Sequence, residues 1–332
     1  MRAVKLRAVT STLEDISIVR EGDSYAISVT TSGFVPVRSC RTRYPPALIE
    51  LIHRIKGSAY LCDEIAREES PSGLRTILER ALLSFLDKEA LTGRRLLDFG
   101  CGGGASTMIL ARLLLETSIV GVELSNDFLS IARARQKFYG YRNVEFLKSP
   151  SGEALPSGIG KFDAIVMSAV FEHLLPQERK TLMPLLWTHL SVGGTLLIGQ
   201  TPHRWYPIED HTTGIPLLNY VPDFAAKWAA NRLSRRALRN DTWPTLLRKG
   251  IRGGSEREVL RLLPSATVLT PRGFQSRADH WFAALSPRHR LSKKAIRGLL
   301  RASWAVLGIM PSSHLLLALY KAAETPAGEG QQ

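Results

Sequence analysis

A cluster of glycines follows a short apolar stretch in the first third of the chain. Residues 96–99 read Leu-Leu-Asp-Phe, and residues 100–104 read Gly-Cys-Gly-Gly-Gly. Glycine permits positive φ angles and lets the backbone approach a ligand closely. The amide groups at the start of the helix that we expect next favour an electron-rich or anionic group. The pattern therefore predicts a ligand-binding loop between a strand and a helix.

Two carboxylates restrict the ligand that this loop could hold. Gly100, Gly102 and Ala105 satisfy the dinucleotide spacing G-x-G-x-x-G/A, which is typical of dinucleotide-dependent oxidoreductases. Asp98 would repel a pyrophosphate, however, whereas it suits a ligand with cationic groups. Glu123 ends the next apolar stretch and can accept hydrogen bonds from both hydroxyls of a ribose. A nucleoside with a positively charged tail satisfies both acids.

A second group of reactive residues lies further along the chain. Glu172 and His173 follow the fourth apolar stretch, and His203 follows the fifth. A carboxylate or an imidazole at these places could deprotonate a hydroxyl acceptor. Glu172 and His173 also suit the start of a helix, where a carboxylate interacts favourably with the helix dipole. We take Glu172, His173 and His203 as candidate catalytic residues, with helix capping as the alternative for the first two.

The elements that would position these residues alternate between strands and helices. Apolar stretches typical of strands cover residues 95–99, 118–122, 144–147, 164–167 and 195–199. Helical patterns cover residues 107–115, 127–138 and 178–190. This alternation is typical of parallel α/β folds, in which ligands bind outside the carboxyl ends of the strands. The glycine loop, Glu123 and the candidate bases should therefore meet at one edge of a sheet.

Taken together, these motifs resemble the class I S-adenosylmethionine-dependent methyltransferases over residues 96–201. The family pattern of two apolar residues, an acid, an apolar residue and GxGxG is matched up to Gly104, with Glu123 as the ribose acid. Matches continue over residues 162–168, 171–174 and 190–196. The branch nearest in pattern is that of small-molecule or quinone-type O-methyltransferases. The resemblance implies S-adenosylmethionine as the cofactor and a Rossmann-like, doubly wound, mostly parallel seven-stranded sheet.

The same resemblance implies roles for individual residues. The glycine loop would hold the methionine part of the cofactor with Asp98 beneath it, and Leu124 would pack on the adenine. Many relatives have an aspartate after the third strand that binds the adenine amine, whereas this chain offers Glu153. The predicted cofactor-binding residues are Asp98, Gly100, Cys101, Gly102, Gly104, Glu123, Leu124, Glu153 and Ser168.

The residues around Glu172 and His173 could also bind a metal ion. Some metal-assisted family members carry Glu-x-x-Glu-His and a later histidine. Here the first position is Ala169, so half of that pattern is present, although His203, Glu209 and His211 could complete a site. The three cysteines are too scattered for a Cys-x-x-Cys metal site or a disulfide framework. We expect a site without a metal.

The positive charge is concentrated in one part of the chain. Residues 225–301, called the basic segment here, hold eighteen Lys and Arg but four Asp and Glu, which equals the whole net charge of +14. Such a segment suits an anionic membrane surface, nucleic acid or solvent. No RNA-binding motif accompanies it, so we rank nucleic acid below a small-molecule, lipid or glycan acceptor. The 44% hydrophobic content excludes wholesale disorder.

The composition predicts five regions in the chain. Residues 1–90 form an accessory region with strands near 16–19, 25–30 and 34–37 followed by helices. Residues 91–201 form the cofactor-binding core, residues 202–255 a basic insertion after the fifth strand, residues 256–322 the last core elements, and residues 323–332 a disordered tail. We expect a cytoplasmic protein, with at most peripheral contact at the inner membrane face. Residues 299–319 should form a buried helix followed by a buried strand.

The sequence thus predicts a methyltransferase, and the candidate bases favour transfer to an oxygen. The acceptor would be a small molecule, a lipid or a glycan. Three alternatives are an RNA methyltransferase that uses the basic segment, a dinucleotide-dependent oxidoreductase, and a nucleoside-binding protein without turnover. A comparison of methyl-donor binding with NADH binding would distinguish a methyltransferase from a dinucleotide-dependent oxidoreductase.

Overall fold

A computed structural model of the protein describes residues 15–30, 37–70, 73–234, 236, 238–285 and 293–323. Its amino-terminal part combines a small sheet with three helices. The sheet contains β1 (Ile16–Glu21), β2 (Ser24–Val29) and β3 (Ser39–Thr42), paired antiparallel in that order. The helices are α1 (Pro46–Lys56), α2 (Ser58–Glu69) and α3 (Leu74–Phe85).

This region differs from the sequence prediction in two places. Residues 34–36 of the predicted third strand lie outside the described residues, and β3 begins at Ser39. The apolar pattern does not predict α2, because acidic and basic residues interrupt it. Gly57, with a φ of +79°, ends α1 and starts α2 at once. The buried faces of α1 and α2 pack together in one apolar cluster that includes Ile49, Ile52 and Ile65.

Seven strands form the central sheet. They are β4 (Arg95–Phe99), β5 (Ser118–Glu123), β6 (Val144–Lys148), β7 (Phe162–Ser168), β8 (Leu190–Pro202), β11 (Thr267–Val268) and β12 (His314–Tyr320). The order across the sheet is β11-β12-β8-β7-β4-β5-β6. Strands β4 to β8 run parallel, and β12 runs antiparallel to both β8 and β11. The predicted Rossmann-like, doubly wound, mostly parallel sheet is confirmed.

Helices cover both faces of this sheet, because side chains alternate along each buried strand. Leu96 of β4 points into a core with α3 and with α4 (Ala105–Leu113), whereas Leu97 points into a core on the other face. The second core is formed with α6 (Pro176–His189). Helix α5 (Asn126–Tyr139) connects β5 to β6. The parallel register brings the carboxyl ends of β4, β5, β7 and β8 to one edge.

The chain leaves the sheet after β8 and returns to it near the end. Between these points lie β9 (Ile208–Glu209), β10 (Ile215–Pro216), α7 (Asp223–Leu233), α8 (Trp243–Arg248), α9 (Glu256–Leu262), α10 (Arg277–Ala283) and α11 (Lys294–Leu307). Strands β9 and β10 pair with each other apart from the central sheet. Among the described helices, none is long and apolar enough to cross a membrane.

The prediction of a buried helix near residue 299 is wrong. Within α11, Leu300 is the buried residue, whereas 69% of Leu299 is exposed. Ile296, Val306 and Leu307 of this helix are exposed as well. The buried strand that was predicted to follow is confirmed as β12.

Candidate functional site

The glycine loop between β4 and α4 adopts backbone angles that side chains rarely allow. Gly104 has a φ of +82° at the first turn of α4, and an added Cβ would lie 2.9 Å from Cβ of Ala132. Gly102 has a φ of +54°, and an added Cβ would meet open space. The loop therefore turns tightly against α5 at one end and leaves its middle open to a cavity.

This cavity, called the loop cavity here, has a volume of about 390 Å³. It lies at the carboxyl edge of β4, β5 and β7. Six of the predicted cofactor-binding residues line it: Gly100, Cys101, Gly102, Glu123, Leu124 and Ser168. Asp98, Gly104 and Glu153 do not belong to its lining, although Gly152 beside Glu153 does.

Glu123 is held at the rim of the loop cavity by backbone amides. Its Oε1 accepts hydrogen bonds from the amides of Leu124 at 2.8 Å and Ser125 at 2.9 Å. Its Oε2 accepts one from the amide of Gly102 at 3.0 Å. Three donors on the loop and on the turn after β5 thus fix the carboxylate, and of its roughly four lone-pair sites the one left on Oε2 can accept a hydrogen bond from a ligand.

Asp98 lies beneath the loop and is only 1% exposed. Its Oδ2 accepts hydrogen bonds from the hydroxyls of Ser106 at 2.7 Å and Thr107 at 2.6 Å. Burial raises the pKa of Asp98 to about 6, although the two hydroxyls act in the opposite direction. The carboxylate therefore joins β4 to the first turn of α4 and carries a charge that depends on pH.

The amino-terminal helices also contribute to the loop cavity, which the sequence does not indicate. Lys56, Glu64 and Arg67 line it. Lys56 Nζ lies 3.3 Å from Glu64 Oε2, so the cation and the carboxylate are paired. Burial alone would raise the pKa of Glu64, but the charges of Arg135, Lys56 and Arg67 outweigh it and lower the pKa. The cavity thus has charges of both signs on this wall.

Arg135 of α5 connects these helices to the glycine loop. Its Nη1 donates to the carbonyl of Gly103 at 2.6 Å and to Glu64 Oε1 at 2.9 Å. Its Nη2 donates to the carbonyl of Glu64 at 2.8 Å, and its Nε donates to the hydroxyl of Tyr44 at 3.0 Å. The side chain is fully buried, so these partners satisfy a charge that would otherwise be costly there. The conformation of the loop depends on this network.

Glu172 and His173 lie in a single 3-10 turn, Phe171–His173, after β7. Glu172 is buried, and its Oε2 accepts a hydrogen bond from the hydroxyl of Thr201 at 2.8 Å. Its Oε1 has no hydrogen-bond partner among the residues that the structure describes. Burial raises the pKa of this carboxyl.

His173 lines the loop cavity with one nitrogen available. Its Nδ1 donates to the carbonyl of Arg248 at 2.8 Å, so Nε2 is the acceptor in the neutral ring. Nε2 lies 3.7 Å from Glu172 Oε1. His211 is next to this pair, with its ring centroid 5.6 Å from that of His173. Burial lowers the pKa of His211 to about 4, so this ring is neutral at pH 7.

One ligand atom from each of Glu172, His173 and His211 lies within 4.8 Å of the others. Such a group is able to hold a divalent cation. His203 and Glu209, which the sequence offers as further ligands, are used elsewhere. Glu209 accepts hydrogen bonds from the amides of Thr212 and Thr213 at 2.8 and 2.6 Å. A site without a metal stays a prediction.

The structure does not bring His203 to the loop cavity. The ring is 1% exposed, and its Nδ1 accepts a hydrogen bond from the amide of Trp205 at 3.1 Å. Its Nε2 then donates to Glu256 Oε2 at 2.8 Å. Both nitrogens are occupied by these contacts, which fasten the chain after β8 to α9. His203 therefore has a structural role, because neither of its nitrogens is available to a ligand in the loop cavity.

A second cavity of about 450 Å³, called the apolar cavity here, adjoins the first. The two share Arg67, Ser168 and Ala169 in their linings. Large apolar side chains from α3, α10, β12 and the segments beside them form most of the wall: Ile77, Leu78, Phe85, Trp281, Met310, Leu315 and Leu316. Polar and charged side chains also contribute to the lining: Arg67, Thr76, Arg80, Ser168, Gln200, His211, Arg277, His280, Ser312 and His314. No short sequence motif predicts this cavity, because the residues that line it are spread from residue 67 to residue 316.

Comparison with known proteins identifies the core. Residues 97–196 match the family model described as a methyltransferase domain. Over 82 residues the chain is 40% identical to protein-L-isoaspartate O-methyltransferase of Rhodopseudomonas palustris, covering 25% of this chain and 36% of that protein. Over 133 residues it is 28% identical to demethylmenaquinone methyltransferase of Lactococcus lactis, covering 40% and 52%. The chain thus spans between about a third and a half of the length of these relatives.

The chain also has a partial likeness to a solved structure. The apo form of the S-adenosylmethionine-dependent methyltransferase SibL covers 80% of this chain and 58% of its own, with 13% identity and a TM-score of 0.44. Together with the order of the strands, the domain match confirms the predicted core of a class I methyltransferase. This class uses S-adenosylmethionine.

Proposed function

We propose that the protein transfers the methyl group of S-adenosylmethionine to a hydroxyl oxygen of a small, largely apolar acceptor. The observation that carries this proposal is the junction of the two cavities at Ser168 and Ala169. Methyl transfer needs donor and acceptor in line and water excluded. Two adjoining cavities of different polarity, each with its own lining, suit that requirement.

The loop cavity fits the donor. Glu123 faces it with a carboxylate that can accept a hydrogen bond from the ribose, and the open middle of the loop at Gly102 admits the methionine part. Asp98 and Glu64 supply negative charge near the cationic groups, while Lys56 and Arg67 can pair with the carboxylate. When bound, the donor supplies an electrophilic methyl group on a positively charged sulfur.

His173 is the proposed general base. Its Nδ1 is held by the carbonyl of Arg248, which leaves Nε2 to take the proton of the acceptor hydroxyl. The carboxyl group of Glu172 lies behind Nε2 at 3.7 Å and would stabilise the protonated ring when that group is ionised. The hydroxyl of Thr201 orients Glu172 by donating a hydrogen bond to Oε2 of that carboxyl group. Of the three catalytic candidates, His173 is thus the proposed base, Glu172 supports it, and His203 takes no part.

The walls of the apolar cavity favour a small molecule or lipid over a glycan. A sugar hydroxyl that faces Phe85, Trp281 or Met310 would lack a partner, and an unpaired buried hydroxyl costs about 1–3 kcal/mol. Gln200 and His211, near the junction, can orient one polar group of the acceptor. The inferred acceptor has an apolar body and a hydroxyl at the cofactor end.

The basic segment gives little support to an RNA acceptor. Several of its cations are paired within the protein: Arg248 with Glu178, Lys249 with Asp241, Arg252 with Asp223, and Arg277 with Glu256. Such pairs reduce the charge that is available for phosphates. Phosphate contacts dominate the affinity of nucleic-acid binding.

Incubation with methyl-labelled donor and fractionated cell extract tests the proposal. We expect label in an apolar small-molecule or lipid fraction, in a product stable to mild base as an ether is. Label in RNA or glycan, or label lost under conditions that hydrolyse methyl esters, would contradict it. His173→Ala serves as the matched enzyme without turnover, since it should bind donor normally.

A further inference from the structure

The outward face of α11 is apolar, which is unusual for a helix on a protein surface. Ile296, Leu299, Val306 and Leu307 lie on one stripe and are 41%, 69%, 80% and 50% exposed. Four small residues of the helix are exposed as well: Ala295, Gly298, Ala302 and Ala305. Contiguous exposed apolar surface of this kind marks an interaction site.

The charged side chains of α11 lie on the other side. Arg297 Nη1 is 3.9 Å from Asp279 Oδ1 of α10, and Arg301 forms an ion pair with the same carboxylate. One aspartate thus faces two arginines, and Lys294 on the first turn is exposed. The helix has charge next to the protein and apolar groups toward the outside, so the apolar stripe needs a partner.

The helix that carries the stripe is basic. Lys293, Lys294, Arg297 and Arg301 outnumber Asp279, which pairs with the two arginines. A second copy of the chain packed on the stripe would bring two basic helices together. A nucleic acid would pair with the cations but would leave the aliphatic side chains without a role. An anionic lipid surface satisfies both features, because acyl chains accept apolar residues and headgroups pair with Lys and Arg.

We propose that α11 docks the protein on an anionic lipid membrane. Ile296, Leu299, Val306 and Leu307 enter the boundary between headgroups and acyl chains, and the exposed Lys294 on the first turn contacts phosphates. The helix lies in the plane of the surface and does not cross it. At 14 residues it is shorter than a spanning segment, which needs about 20 residues.

Docking through α11 would bring the apolar cavity near the lipid. Leu300 of α11 packs with Ala278, Trp281 and Met310, and the last two also line the apolar cavity. An apolar acceptor could then pass between the membrane and the cavity. This consequence rests on the proposed function, whereas the docking itself does not.

Flotation of the full-length protein with lipid vesicles tests the docking. Vesicles of phosphatidylcholine with phosphatidylglycerol should carry the protein upward, and the bound fraction should fall as salt rises. Leu299→Glu with Val306→Glu should lower the affinity at least tenfold. The matched control is Phe224→Ser with Trp228→Ser, which removes exposed aromatic residues from α7 and should bind as the wild type does.

Three results would overturn the docking proposal. They are no binding of the wild type to the anionic vesicles, equal binding of the Leu299→Glu, Val306→Glu variant, and loss of binding in the α7 control alone. A dimer that this α11 variant dissociates without any change in vesicle binding would show that the stripe joins two copies instead. Donor affinity distinguishes the two proposals: the α11 variant should keep it, and wild-type protein without donor affinity would contradict the proposed function alone.

Discussion

The two cavities lie on one edge of one sheet, yet they are built in different ways. The loop cavity uses backbone amides, glycines and carboxylates from stretches that are short in sequence, such as residues 98–104 and Glu123. The apolar cavity uses side chains from α3, β8, α10 and β12, which are far apart along the chain. The donor site is therefore a property of a local motif, whereas the acceptor site is a property of the complete fold.

His173 stands at the boundary between these two regions, and its loss should have the largest effect on catalysis. We expect His173→Ala to lower turnover by about 10²- to 10⁴-fold, the usual contribution of a general base, with donor affinity within about twofold of wild type. Single-turnover kinetics and calorimetry measure the two quantities.

The matched control for that variant is His189→Ala. His189 also donates from Nδ1 to a carbonyl, that of Gly160 at 2.6 Å, but does not line either cavity. It should keep full turnover. Full turnover in His173→Ala would remove the proposed base.

His203 should separate stability from chemistry. His203→Ala removes the partner of Glu256 Oε2 and of the amide of Trp205, both of which are buried, so the free energy of unfolding should fall by about 2–4 kcal/mol. Turnover per folded molecule should stay near that of wild type. Urea unfolding and active-site titration check this, and a variant that is stable but inactive would return His203 to the catalytic group.

Arg135 tests how the amino-terminal helices support the donor site. Arg135→Lys keeps the charge but cannot contact Gly103, Glu64 and Tyr44 together, so the loop should loosen. We expect donor affinity to fall about five- to tenfold. Arg133→Lys on the same helix, which loses one contact to the carbonyl of Phe146, should change it little. Equal affinity in both variants would show that the loop holds its shape without the network.

The smallest expected effect is the dependence of donor affinity on pH. The pKa of Asp98 is raised to about 6, so the carboxylate gains its charge as the pH rises through that value. An ionised Asp98 attracts a cationic donor, and donor affinity should increase a few-fold between pH 5 and pH 7. The folded state favours protonation of Asp98. The contribution of Asp98 to the free energy of unfolding therefore decreases as the pH rises through the same range.

Asp98→Asn is the control for this pH dependence. Calorimetry across the same pH range should show a flat profile for the variant, because the amide does not titrate. A profile for Asp98→Asn that still follows the wild type would assign the effect to another group.

The elements around the donor site could be predicted from sequence because their signals are local. The strand predicted over 95–99 agrees with β4, and the helix predicted over 127–138 agrees with α5 within one residue at each end. Buried parallel strands are continuous apolar stretches, and glycines mark the turn. Placing Glu123 at the end of β5 required nothing beyond this pattern.

The rest depended on contacts that no pattern in the sequence records. His203 follows β8 as a catalytic residue would, but its partner Glu256 lies 53 residues later and holds the ring away from the loop cavity. Arg135 meets Glu64 across 71 residues of sequence. The exposed stripe of α11 has the apolar composition of a buried helix. Composition alone therefore predicted burial for side chains that are exposed in the structure.

One measurement tests the arrangement of two joined cavities most directly. Donor affinity and transfer of labelled methyl are measured together in Glu123→Ala, in Glu153→Ala and in Ile77→Glu, which places a charge on the wall of the apolar cavity. We predict that Glu123→Ala loses at least tenfold in donor affinity, that Glu153→Ala changes neither quantity, and that Ile77→Glu keeps donor affinity while losing transfer. Unchanged donor affinity in Glu123→Ala, or full methyl transfer in Ile77→Glu, would contradict the account.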